Sequence, residues 1–209
     1  MVIGMLIAVS FTLIVSLIEP QFPSFLRYGY LKKIIIWSWL LLVYLYTAGV
    51  EKQDFFLWKD SRHSILFYCI SVITIAVLSF LARSSQQLLP GIGLNVQRSQ
   101  LLHQMLSYLH THFFLLVLTC ITAAVVEELI FRAYLIPRLS MLLRDAYLPV
   151  IISALFFGLA HIGYGTLINM FVPFLLGLIF GAYYQKYRNI KVLIICHFLL
   201  DLTSLLFAK

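Results

Sequence analysis

Seven long apolar runs, joined by short polar connections, constrain this chain more than any other feature. They fall at about 2–18, 34–50, 64–82, 112–134, 148–162, 166–184 and 192–207. Crossing the hydrocarbon layer takes roughly 20 mainly apolar helical residues. Backbone in lipid must also satisfy its own N–H and C=O groups, which a helix does. The runs therefore predict an all-α, polytopic integral membrane bundle of about seven transmembrane helices. Composition agrees: 62% of the 209 residues are hydrophobic and 11% are charged, against about half and a quarter in soluble domains.

The formal charge of +7 does not point to nucleic acid, because the basic residues stand singly between apolar runs, where they serve loops and headgroups. Cys69, Cys120 and Cys196 lie inside apolar runs with no CxxC pattern, so they read as small buried hydrophobes. The first run lacks a basic flank and an A-x-A cleavage site and is expected to be a retained span. Glu19-Pro20 ends it, and Pro137 with Arg138 is expected to end the fourth. Pro90-Gly91-Ile92-Gly93 marks a turn, and 94–109 is expected to lie along the interface as an amphipathic helix. Small pairs four apart, Ala154/Gly158 and Gly177/Gly181, suit close helix packing. With the N-terminus inside, nine Lys and Arg residues fall on the inner side and six on the outer, a lean towards that orientation.

Few ionisable residues interrupt the last four runs: Glu127, Glu128, Arg132, His161, His197 and Asp201. An Asp, Lys or Arg at the centre of a membrane helix costs roughly 2.5–3.5 kcal/mol on insertion scales, so such groups are candidates for a site. Glu128 and Arg132 share a helix face and can pair; His197 and Asp201 have the same spacing. Glu127 lies about 100° round the helix from Glu128 and is left to face a cavity shared with the histidines. A carboxylate with a neutral imidazole can deprotonate a water molecule, and a second imidazole can steady an oxyanion. Glu127, His161 and His197 also make a fitting ligand set for zinc or another divalent metal. Both routes end in amide hydrolysis. HExxH and GxSxG are absent from the sequence, and no serine or cysteine sits in an evident nucleophile motif, which disfavours a covalent mechanism.

Glu127-Glu128-x-x-x-Arg132, Phe157-x-x-x-His161 and His197-x-x-x-Asp201 occur in this order on successive apolar runs. This resembles the CPBP group, the CAAX prenyl proteases and bacteriocin-processing proteins, over about 113–207. The resemblance implies an intramembrane endopeptidase whose water is activated by Glu127 and His161. It makes Glu128 and Arg132 supporting members, and His197 the group that steadies the oxyanion. Asp201 stands where family members have Asn or Asp; an ionised Asp cannot donate to an oxyanion, so orienting His197 suits it better. The family picture favours a metal-free, glutamate-type mechanism and no cofactor.

Residues 1–110 are then accessory helices with an interfacial loop, and 111–209 the catalytic core. The expected partners are the lipid bilayer and a membrane-tethered or hydrophobic peptide substrate, in a bacterial or archaeal cell membrane. Two other classes fit the same polar set. A non-enzymatic immunity or scaffold protein would use it for packing, and a small proton-coupled transporter would use it as a proton relay.

Overall fold

The computed structural model describes residues 1–18, 21–92 and 99–207, the side chains of 89–92 excepted. Glu19-Pro20, Gly93, Arg98 and Lys209, each used in the sequence reading, lie outside the described residues. Among the described residues every regular element is helical.

In chain order they are α1 (Val2–Ile18), α2 (Ser24–Tyr28), α3 (Tyr30–Tyr46), α4 (Ile65–Ser84), α5 (Gln100–His110), α6 (Phe113–Glu127), α7 (Ile136–Leu143), α8 (Leu148–Leu159), α9 (Ile168–Tyr187) and α10 (Ile190–Phe207). Serine caps fix two starts. Ser64 accepts from the Phe67 N–H at 3.3 Å and Ser99 from the Leu102 N–H at 3.1 Å, satisfying donors that a helix start leaves unpaired. Five helical stretches are long and apolar enough to cross a membrane: Tyr30–Glu51, Ile65–Leu88, Phe113–Leu143, Ile168–Tyr187 and Ile190–Phe207. Val2–Ile18 and Leu148–Tyr164 are shorter apolar helices.

Two boundaries differ from the sequence reading. α3 begins at Tyr30, four residues before the apolar run at 34, because Lys32 and Lys33 ride on the helix and Lys33 turns inward (6% exposed). The fourth span does not stop at Pro137. It continues to Leu143 as one stretch of 31 residues. Proline lacks an N–H and its ring clashes with the carbonyl four residues back. Here a π-helical stretch, Glu128–Leu135, precedes it and widens the backbone by about one residue per turn. Ser153 Oγ donates to the Phe131 carbonyl within that stretch at 2.7 Å, and Arg138 Nη1 donates to the Tyr134 carbonyl at 3.3 Å. Both supply donors where helical bonding is irregular. Arg138 is thus fully buried, not a loop charge. It pairs with Glu51 at 3.2 Å and reaches the Asp54 and Phe55 carbonyls.

The connections sort into two ends by their mutual bonds. At one end the stretch between α3 and α4 meets the α9–α10 turn: Ser61 N–H donates to the Arg188 carbonyl at 2.9 Å, and Asn189 Nδ2 donates to the Ser61 carbonyl at 2.9 Å. At the other end α2, α5 and the segment after α8 meet. Tyr28 Oη donates to the Leu101 carbonyl at 3.0 Å, and Ser99 Oγ to the Tyr164 carbonyl at 2.5 Å. That division is what alternating up-and-down helices produce.

α8 and α9 pack closely because glycine lets them. A Cβ on Gly177 would stand 2.9 Å from Ala154 Cα, and one on Gly158 would stand 2.9 Å from the Met170 carbonyl. The small pairs seen in the sequence are this contact.

Candidate active site

Glu128 is the midpoint of the 31-residue span, so both acids lie deep in the bundle. Glu127 is the last residue of α6 and Glu128 the first of the π-helical stretch. The change of helical register falls between them, and the two carboxylates diverge. Glu128 is fully buried. Its Oε1 lies 3.1 Å from Arg132 Nη1 and 2.8 Å from His197 Nδ1. Arg132 is 1% exposed, with its guanidinium 4.2 Å from the Phe157 ring and 5.5 Å from the Phe180 ring. Two aromatic faces and one carboxylate therefore surround this cation, a cation–π arrangement that strengthens as water is excluded.

Glu127 has 28% of its side chain exposed. It lines an open cavity of about 890 Å³, counting the solvent space at its mouth, together with His161. His161 follows the end of α8 and is not on the helix. α8 has 12 residues, about 18 Å of rise at 1.5 Å each, well short of the ~30 Å hydrocarbon layer. The short helix thus delivers His161 at membrane depth. His161 Nδ1 lies 2.8 Å from the Phe157 carbonyl. A carbonyl only accepts, so Nδ1 carries the hydrogen and Nε2 keeps its lone pair.

His197 is 12% exposed and lies behind Glu127, not on the open cavity. It lines a smaller space of about 260 Å³ with Glu128, Arg132 and Asp201. Its Nε2 is 3.4 Å from Asp201 Oδ2 and 3.9 Å from Glu127 Oε2. The Phe157 ring stands beside both imidazoles, 5.0 Å from His161 and 6.3 Å from His197 by ring centroids. The structure thus joins Glu127 to His161 through a cavity and to His197 by proximity, but the three do not share one open space. Nor do they form a metal cage. His197 faces carboxylates with both nitrogens, and among the described residues no group of three or more His, Cys, Asp or Glu is placed to hold a metal ion.

Gly163 and Gly165, in the segment after His161, serve contact and turn geometry. A Cβ on Gly163 would collide with the Ser16 carbonyl of α1, and Gly165 has φ +77°, the left-handed region that glycine tolerates.

Sequence spacing missed several residues: the Glu51–Arg138 pair, the Phe180 face on Arg132, and the cations Arg27 and Lys32 that line the Glu127 cavity. Partners about 50 to 100 residues apart leave no local periodicity. The one signal was a second arginine six residues after Arg132, directly after the Pro137 expected to end the run.

The helical bundle thus places a carboxylate, Glu127, and an imidazole, His161, on one open cavity. Residues 109–203 match the family model described as Type II CAAX prenyl endopeptidase Rce1-like. That match is consistent with the CPBP kind of intramembrane protease that the motifs of this segment resemble, and the five helices long and apolar enough to cross a membrane suit a multi-pass membrane protein. No curated protein and no solved structure matches the chain.

Proposed function

We propose that the protein hydrolyses a peptide bond of a membrane-tethered or hydrophobic peptide with water activated by Glu127, without a metal or other cofactor. The observation that carries this reading is the divergence of the two acids. Glu128 is engaged by Arg132 and His197, while Glu127 opens onto a cavity beside His161. In the proposed step Glu127 takes a proton from water held against it and His161 Nε2, and the water oxygen bonds to the scissile carbonyl carbon. The carbonyl oxygen becomes an oxyanion, met by an N–H of His197 Nε2. The C–N bond then breaks and the amine leaves with the proton from Glu127. Glu128 and Asp201 act as positioning residues that hold His197 from either nitrogen, and Arg132 offsets the buried charge of Glu128. Residues 111–209 form the catalytic core and 1–110 the accessory helices, in a bacterial or archaeal cell membrane.

The test is Glu127→Gln in purified protein reconstituted into vesicles. The amide keeps the shape and removes the base, so cleavage is expected to fall by at least ~100-fold, the lower range for general-base catalysis, with unfolding temperature within a few degrees of wild type. Wild-type turnover in this variant would refute the role. A scaffold protein would lose function only in proportion to abundance. Dialysis against a chelator is expected to leave turnover unchanged; loss restored by zinc would overturn the metal-free reading.

A further inference from the structure

Helices outside the matched segment reach the site from two sides. α1 and α3 wall the open cavity with Phe11 and Trp39, and α4 closes the smaller space behind Glu127 with Arg83. α4 and α10 both start at the end where Ser61 meets Arg188 and run the same way, packed around Ile75, Leu193 and Cys196. Eight residues on from Ile75 and Cys196, about 12 Å along each helix, Arg83 meets Ser204. Ser204 Oγ gives its own hydrogen to the Leu200 carbonyl at 2.5 Å and accepts from Arg83 Nη1 at 2.5 Å. A cation in a last turn suits the negative end of its own helix, a role that needs no partner across the bundle. Arg83 has such a partner, and it faces the space lined by Glu128, Arg132, His197 and Asp201.

The charges in this space pair off. Arg132 takes Glu128 at 3.1 Å. The remaining acid is Asp201, 3.4 Å from His197 Nε2, and the remaining cation is Arg83. Arg83 Nε, Glu128 Oε2 and Arg132 Nε are buried with no hydrogen-bond partner among the described residues. Buried polar atoms gathered round a space are what an ordered water bonds, and charges in such a space feel each other more strongly than in bulk water.

We propose that Arg83 is a positioning residue for the hydrolysis: held by Ser204, it shares the charge of Asp201 through water in the common space and so leaves the Nε2–H of His197 for the oxyanion. An Asp201 carboxylate with no cation facing it would draw that hydrogen to itself, because an ionised carboxylate only accepts. With Arg83 opposite, Asp201 keeps the imidazole oriented without monopolising its proton. The inference rests on the proteolytic reading, yet its effect on His197 is measurable without catalysis.

The test uses full-length protein and two readouts. Cleavage of a pool of quenched fluorescent hydrophobic decapeptides is followed in vesicles, and the His197 ring is followed by NMR of isotope-labelled histidine in micelles, its signals identified by their loss in His197→Gln. Arg83→Gln is expected to lower kcat about tenfold, less than the loss of an oxyanion donor itself, with KM within about twofold and a moved His197 ring signal. Arg83→Lys should retain most of kcat. Ser204→Ala, a milder change, should lower kcat about threefold and move the same signal in the same direction. In an Asp201→Asn background, Arg83→Gln should add little to the effect of Asp201→Asn alone, since no carboxylate is left to share. An unmoved His197 signal in both Arg83→Gln and Ser204→Ala overturns the proposal. So does an equal fall in kcat with and without the Asp201 carboxylate, and so does a loss confined to KM. Where Arg83→Gln does not fold, Ser204→Ala and Arg83→Lys carry the test. A moved ring signal with no peptide cleaved by wild-type protein sinks the protease reading and leaves the coupling of Arg83 to His197 standing.

Discussion

Glu127 and Glu128 are chemically identical neighbours with different surroundings. Glu128 Oε1 is shared by Arg132 and His197, and the Glu128 and Arg132 side chains are almost wholly buried. Removing one partner of a buried pair leaves an uncompensated charge, at a cost of about 3–5 kcal/mol. Arg132→Leu is therefore expected to lower stability by that order in chemical or thermal unfolding of the solubilised protein. Glu128→Gln with Arg132→Leu should cost clearly less than the two single changes added together, because neither charge is then stranded; strict additivity would show that the two do not interact. The i, i+4 spacing disclosed this pair in the sequence because it is local and survives the π-helical register. The same logic could not find Glu51 for Arg138, 87 residues away. It also assigned Lys33 to a loop, since a lysine at the edge of an apolar run looks like its boundary. The position of His197 was only half legible: its spacing pointed to Asp201, but its bond to Glu128 and its seat behind Glu127, off the open cavity, depend on how α10 packs on α6.

At the level of elements, the site rests on two departures from regular helix. The π-helical stretch lets one span run through Pro137, and the short α8 stops early enough to leave His161 in the membrane. Proline in the sequence announced a break, and only the packed structure tells a break from a bulge, because the compensating donors come from Ser153 on another helix and from Arg138. Ser153→Ala leaves the Phe131 carbonyl without that partner, and a loss of about 1–3 kcal/mol is expected, read as a lower unfolding midpoint. The α8–α9 contact sets where α8 ends relative to α6. Gly177→Leu would drive a side chain into Ala154, and overpacking of this kind costs about 1–3 kcal/mol. Its expected signature is reduced cleavage together with reduced stability; an unchanged unfolding curve would show that the two helices stand farther apart than described here.

For the whole molecule, the apolar runs made the bundle legible at once, since lipid admits few alternatives to a helix. What they left unread was the share of the cavity contributed by α1–α3, because wall residues such as Phe11 and Trp39 look like any lipid-facing aromatic in a sequence. The two-ended arrangement yields a direct expectation. With the native cysteines replaced, Lys59→Cys and Gln104→Cys should react with a membrane-impermeant maleimide from opposite sides of the bilayer, Lys59→Cys from the inside. Labelling of both from one side would overturn the alternation, and the reverse pattern would invert the orientation.

The cavity has contacts from Arg27, Leu101 and Tyr164, all belonging to the end remote from Lys59. On the proposed proteolytic reading, and with the amino terminus in the cytoplasm, the severed strand would be shed beyond the bilayer, and the supply of substrate would depend on whatever translocates polypeptides to that face. A peptide confined to the cytosol would never meet the blade.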